Sequence, residues 1–279
     1  MSAGMVHLQA IRRILVAVDG SDQSLAALEA AATLAAQLEA ELEALFVEDA
    51  DLLRLADLPC GRVLSLLLLE AERTDRERME RQLRLQAARA QDAVRRRAAA
   101  LGVRASFRAV RGEVVSEILA AAAGADLLTL GKAGRGRVRR VSSGSTLQAA
   151  LAAGRPLLVA GDPSWAGQGL LAVYDGSAAG ARARELASGS GQEQNTVILA
   201  RWAAEAEQLA ARAREQLAGP GVSAGLSYSW GEPAAAILAA VRRTRPALLL
   251  LGLEAGDGDG QERAARILER VNCPLLLVP

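Results

Sequence analysis

The chain repeats itself. "ILVAVDGS" at Ile14–Ser21 returns as "LLAVYDGS" at Leu170–Ser177, an apolar run that ends each time in Asp-Gly-Ser. Further matches follow in the same order. "RGEVVSEILAAA" from Arg111 is answered by "WGEPAAAILAAV" from Trp230, "DLLTLG" from Asp126 by "ALLLLG" from Ala247, and "GRPLLVAGDP" from Gly154 by "NCPLLLVP" from Asn272. One structural plan used twice is the simplest source of such an echo. The fold must therefore be buildable within either copy. The expected domains are 1–163 and 169–279, joined in "GDPSWAGQG" at Gly161–Gly169, where Gly, Pro and Ser cluster.

Within the first copy, strands are expected at Ile14–Val18, Leu42–Val47, Arg104–Val110, Leu127–Gly131 and Pro156–Ala160. They lack the polar alternation of a half-exposed sheet, so both faces should be covered, as in a parallel sheet between helix layers. "SLAALEAAATLAAQLEA" has helical composition, with Ser21 or Asp22 available as N-cap. The expected class is α/β, two tandem doubly wound parallel-sheet domains. Asp49–Leu101 has no counterpart in the second copy and reads as a helical insertion. In it, Met79, Leu83, Ala87, Ala90 and Val94 fall at helical spacing. Its many arginines are interleaved with Glu and Asp, which favours a solvated face over a nucleic-acid site. The run "VLSLLLL" from Val63 suits a flap over a ligand, a subunit contact or a plain core helix.

Several functions are excluded by inventory. Lys+Arg 33 against Asp+Glu 32 leaves a net charge of +1, so the chain as a whole is no electrostatic binder of nucleic acid or anionic membrane. Only 3% of residues are aromatic, too few for a base-stacking surface. Cys60 and Cys273 have no metal or redox spacing and read as buried small hydrophobes in a reducing compartment. His7 is the only histidine, which removes histidine metal sites and Ser-His-Asp catalysis. The apolar runs are too short to span a membrane, and "MSAGMVHLQAIRR" lacks the apolar stretch of a signal peptide, so a cytoplasmic location is expected.

Against this neutral background, "LGKAGRGRVRRVSSGST" at Leu130–Thr146 has five cations, four glycines and no acid. Its strand, Leu127–Gly131, would end beside Ile14–Val18 where the strand order reverses, the usual ligand position in an open parallel sheet. Gly131 and Gly134 would let a phosphate chain approach the backbone. Gly144, Ser145 and Thr146 would open a helix, adding free amides, the positive end of its dipole and two hydroxyls. Lys132, Arg135, Arg137, Arg139 and Arg140 supply positive charge. The segment suits a polyphosphate; a loop that merely turns a corner is the alternative. The second copy keeps Gly252, but Gly256 comes one residue late, no Gly-Ser follows, and Glu254, Asp257, Asp259 and Glu262 replace the cations. A triphosphate should be repelled there, which predicts one nucleotide per chain. The acidic loop then reads as a structural partner or as a holder of a divalent cation.

Three features together resemble the universal stress protein family in its tandem form: the strand ending in "VAVDGS", the "RGE" turn before a helix, and Gly131-x2-Gly134-x9-Gly144-Ser145. The resemblance implies a Rossmann-like, adenine nucleotide alpha hydrolase-like fold. It implies that Asp19 lies by ribose and adenine with Ala17 and Val18 just before it, that Val47 flanks the adenine, and that Gly131, Gly134, Gly144, Ser145 and Thr146 take ribose and phosphates; by their charge, Lys132 and Arg135 join the expected site. The ligand would be ATP, AMP or ADP, with Mg²⁺ or Mn²⁺ bridging phosphates. Ala17 departs from the family, which usually has proline or a larger hydrophobe there. The last strands, Pro156–Ala160 and Pro274–Val278, would pair into an internal pseudo-dimer, leaving homodimerisation and a protein partner open. No positioned base or nucleophile accompanies the loop; the nearest acids are Asp19, Glu48 and Asp49. The first expectation is thus an ATP-binding, nucleotide-responsive stress or signalling module. A slow ATPase or nucleotide-transfer enzyme comes second, and a structural adaptor without nucleotide third.

Overall fold

Ile14 and Val16 pack on one face of strand β1 (Arg13–Ala17), Leu15 and Ala17 on the other, and all four are buried. This two-sided burial is why the strands show no polar alternation. The computed structural model describes residues 11–51, 74–132, 155–162, 164–188, 194–200, 203–216, 224–229, 232–254 and 256–279. After β1 come α1 (Asp22–Leu38), β2 (Glu41–Asp49), α2 (Thr74–Leu101), β3 (Ala105–Gly112), α3 (Val114–Ala122), β4 (Leu127–Gly131) and β5 (Leu157–Ala160). The second half follows with β6 (Leu170–Tyr174), α4 (Ala178–Ser188), β7 (Gln194–Leu199), α5 (Ala203–Gln216), β8 (Ala224–Ser229), α6 (Pro233–Thr244), β9 (Leu248–Gly252), α7 (Gly258–Arg270) and β10 (Leu275–Val278).

The fold is α/β, with a mostly parallel central sheet between helices. The strands form one sheet in the order β3-β2-β1-β4-β5-β10-β9-β6-β7-β8. Each half therefore uses the same internal order, and the sequence repeat is a repeat of topology. One face carries α1, α2 and α4, with α5 at its far end; the other carries α3, α6 and α7. The expected strands agree with those observed to within two residues at either end. One expectation fails: the second half has its own helix, α5, where the first has the longer α2, so the Asp49–Leu101 segment is not wholly without a counterpart. In α2 itself, Leu83, Ala90 and Val94 are buried while Leu85 stays 60% exposed.

The halves meet where β5 and β10 pair antiparallel, Leu157 opposite Leu277, Leu158 opposite Leu276 and Val159 opposite Leu275. All six side chains are buried. The edges that each half would otherwise leave open are thus closed against each other. The Gly161–Gly169 junction is packed rather than loose. A Cβ on Gly161 would stand 2.3 Å from the Asn272 carbonyl, and one on Gly167 2.2 Å from that of Pro246. The Trp165 indole donates to the Pro246 carbonyl at 2.8 Å while the Arg245 guanidinium lies over its ring. No helix among the described residues is long and apolar enough to cross a membrane.

Candidate functional site

The strand order reverses between β1 and β4: β1 pairs β2 on one side and β4 on the other, with Ile14 opposite Leu127 and Val16 opposite Thr129. Crossovers leave in opposite directions from this point, so a crevice forms beyond the strand ends. Asp19-Gly20-Ser21 lines it. The Asp19 carboxylate accepts the Ser21 N–H at 2.9 Å, and Gly20 takes φ +79°, where glycine alone is unstrained. Ser21 then caps α1, its hydroxyl accepting the Ser24 N–H at 3.2 Å, while the Ser24 hydroxyl accepts the Asp19 N–H at 3.3 Å. The turn is rigid because every short polar side chain in it has a backbone partner. Asp19 itself is only half-buried. Among the described residues, one carboxylate oxygen serves the turn and no ion pair engages the other.

Ala17 and Val18 are buried just before this turn, Val18 tied to the Leu45 carbonyl at 2.9 Å. Val47, at the end of β2 opposite Val110, is partly buried against the core. Gly131 ends β4 beside them, pairing with Ala160. Ala17, Val18, Asp19, Val47 and Gly131 are thus carried by the carboxyl ends of three adjacent strands. Gly134, Arg135, Arg137, Arg139, Arg140, Gly144, Ser145 and Thr146 lie outside the described residues, as do Cys60, His7 and the Val63–Leu69 run.

Two expectations need a different physical reason. Gly131 was expected to spare room for phosphate, but its missing Cβ points at α1: a Cβ there would stand 2.6 Å from the Gln23 carbonyl oxygen and 3.0 Å from the Ser24 nitrogen. Gly252 repeats the arrangement against Ala179 and Gly180. The glycine at this strand end lets the first turn of the helix lie directly on the strand in both halves. Lys132, the expected phosphate neighbour, sends its ammonium to the second half, where it donates to the Val271 carbonyl at 2.5 Å. Sequence reasoning gave no hint of this contact, since nothing local marks a pair 139 positions apart.

The "GE" signature is explained by capping. Glu113 caps α3 by accepting from the Val115 and Ser116 N–H groups at 3.2 and 2.8 Å, and Glu232 caps α6 from Ala234 and Ala235 at 3.3 and 2.7 Å. The Ser116 hydroxyl and N–H together hold the Glu113 carboxyl below its ordinary range. Both of the other acids near the crevice have partners. Glu48 is bound to Arg111 at 2.8 Å, and Asp49 accepts the Asp51 N–H at 2.9 Å. No group of metal-ligating side chains occurs among the described residues. A cleft of about 1040 Å³ opens elsewhere, between α1 and the seam, walled by Leu25, Leu34, Leu158, Trp165 and Leu276. Its described lining includes Asp22, Glu29 and Asp162 but neither Lys nor Arg, which disfavours a polyphosphate there.

No curated protein matches the chain in sequence. Among solved structures, the chain is similar in fold to a universal stress protein from Archaeoglobus fulgidus DSM 4304, with TM-score 0.74 and 17% identity over 98% of this chain and 97% of that one. It is similar also to a functionally unknown protein from Pseudomonas aeruginosa PAO1, with TM-score 0.62 and 15% identity over 97% of this chain and 93% of that one. A universal stress protein in complex with cAMP aligns with 54% of this chain and 97% of its own length, at 23% identity and TM-score 0.37. The family model matches residues 10–160, more than half of the chain and all of β1 to β5, and the protein belongs to the universal stress protein family.

Proposed function

We propose that the first half binds an adenine nucleotide in the crevice between β1 and β4, and that the protein is a nucleotide-responsive stress or signalling module. The observation that carries this is the Asp19 turn, set at the strand-order reversal beside the end of β4 with one carboxylate oxygen outside any ion pair among the described residues. An aspartate so placed can accept a ligand hydroxyl, such as those of a ribose. Ala17, Val18 and Val47 would offer it apolar walls. The segment after Gly131, with Gly134, Arg135, Gly144, Ser145 and Thr146, would take the phosphates by its composition. ATP is the first choice, AMP or ADP the alternatives. Mg²⁺ or Mn²⁺ would be held mainly by phosphate oxygens, since the described protein groups form no cage.

Residues 1–163 and 169–279 would be the two domains, paired internally, in a cytoplasmic protein. Slow hydrolysis is the second reading, and the engagement of Glu48 by Arg111 weighs against it because it removes a candidate base. Mass spectrometry of nucleotide released from freshly purified protein, with calorimetry on the stripped protein, tests the proposal. An adenine nucleotide bound at about one per chain is expected. No release and no heat with ATP, ADP or AMP would favour the adaptor reading instead.

A further inference from the structure

The second half rebuilds the crevice and then fills it. Asp175-Gly176-Ser177 copies the first turn: the Asp175 carboxylate accepts the Ser177 N–H at 3.1 Å and its hydroxyl at 2.5 Å, and Gly176 takes φ +84°. The turn sits at the end of β6, which pairs β7 on one side and β9 on the other, so the strand order reverses here as well. Gly252 closes β9 against α4 as Gly131 closes β4 against α1. The turn, the serine cap and the strand-end glycine recur, but Gly180 stands where the first half has Ser24, so the hydroxyl that accepts the Asp19 N–H has no counterpart.

An arginine faces the second turn. Arg263 on α7 places a guanidinium nitrogen 3.3 Å from the Asp175 oxygen, with the two side chains only 18% and 23% exposed. Asp175 is then spoken for on both oxygens, one by Ser177 and one by Arg263. The pair is a single-nitrogen contact rather than a fork, and the Arg263 Nε is buried with no hydrogen-bond partner among the described residues. That geometry falls short of the two parallel bonds a guanidinium makes when a carboxylate is its designed partner. The Asp19 carboxylate has no such ion pair among the described residues. Removing one member of a largely buried pair is costly, so a ligand that needs Asp175 must offer a replacement donor in the same place.

We propose that Arg263 is the residue that shuts the second crevice, holding Asp175 in the place a ligand hydroxyl would otherwise take. This rests on the first crevice being a nucleoside site. Glu254, Asp257 and Asp259 lie between the end of β9 and the first turn of α7 and disfavour phosphate there, so the ligand admitted once Arg263 is gone is an uncharged nucleoside.

Equilibrium dialysis of the full chain against adenosine tests this, using Arg263→Ala and Arg263→Met, the second keeping the aliphatic stem packed should the first fail to fold. Wild type is expected to hold about one adenosine per chain and both variants about two. Wild type and a folded variant both at one would overturn the role of Arg263 and leave the first site standing. No binding to wild type with one per chain in the variants would support Arg263 as the plug and overturn the nucleotide reading of the first half. No binding to any of them would overturn both, and two per chain already in wild type would overturn the plug alone.

Discussion

The Lys132 ammonium, one residue beyond the end of β4, donates to the carbonyl of Val271, the residue that terminates α7 in the other half. Carbonyls at a helix C-terminus lack intrahelical partners, and a cation there also meets the negative end of the helix dipole. The contact ties the residue after β4 to the end of α7 across the two halves. Lys132→Met keeps the stem and removes the charge. It should lower stability by about 1–2 kcal/mol, the upper part of the range for partly buried helix-end cations. Nucleotide affinity should change by less than about threefold, under 1 kcal/mol. Urea midpoints and calorimetry read the two effects separately. Weakened binding with unchanged stability would mean that the ammonium leaves Val271 to serve a phosphate.

Gly131→Ala and Gly252→Ala should behave alike, although only the first lies in the proposed site. The new methyl would meet the Gln23 carbonyl oxygen at 2.6 Å in one case and the Ala179 carbonyl carbon at 2.2 Å in the other. Both neighbours are backbone, so the helix has to move, which costs about 1–3 kcal/mol in a packed region. Thermal melts of the two variants should fall together. A melt unchanged for Gly131→Ala with binding lost would restore the view that this glycine spares room for ligand alone.

What was legible followed from chemistry close in sequence. Two-sided apolar runs gave the parallel strands, and the Asp-Gly-Ser repeats marked two strand ends that the structure places at two equivalent reversals of strand order. The pairing of Leu157–Val159 with Leu275–Leu277 was readable because an apolar edge strand needs a partner. What was missed lies between residues far apart. Gly131 looks like a loop glycine until Gln23 is brought under it, Lys132 looks like a phosphate ligand until Val271 is brought within reach, and Arg263 is one helix arginine among several until Asp175 faces it. Glu113 and Glu232 stand in the Gly-Glu pairs of the repeat, where nothing local marks them as caps. Glutamate is uncommon as an N-cap, and Ser, Thr, Asp and Asn are the residues that draw the eye.

Those two caps make a matched test. Glu113→Ala leaves two N–H groups of α3 without their acceptor and should cost on the order of 0.5–1 kcal/mol, the low end for caps because the site is exposed. The pH dependence has a definite sign. Hydrogen bonds from Ser116 hold the folded carboxyl below its ordinary range, so the capping stability is full above the unfolded pKa and is lost as pH falls through the lowered folded value. Denaturant midpoints of wild type and Glu113→Ala should therefore converge as the pH drops below about 4, near the ordinary glutamate pKa. A gap that stays constant on acidification would show that the charge of the cap is immaterial.

The seam can be watched through a thiol that lies within it. Cys273 is buried just before β10, and burial pushes its pKa up to about 11. At a pH near 8 the thiol is therefore neutral as well as covered, and both conditions suppress reaction with a disulfide reagent. With Cys60→Ser as background, Cys273 should label far more slowly than a free thiol until the seam opens. Leu277, fully buried opposite Leu157, is the side chain to remove. Leu277→Ala should destabilise the protein by about 2–5 kcal/mol, the range for cavities left by a buried leucine. If the opening that exposes Cys273 is the separation of β10 from β5 and β9, labelling should accelerate by about tenfold for each 1.4 kcal/mol lost. Deleting Leu275–Pro279 removes the cover of β5 altogether, and the Leu157–Val159 edge should drive association, visible as larger species in light scattering. A truncated chain that stays monomeric with an unchanged melt would show that the two halves stand without each other and that the paired strands are a convenience of packing.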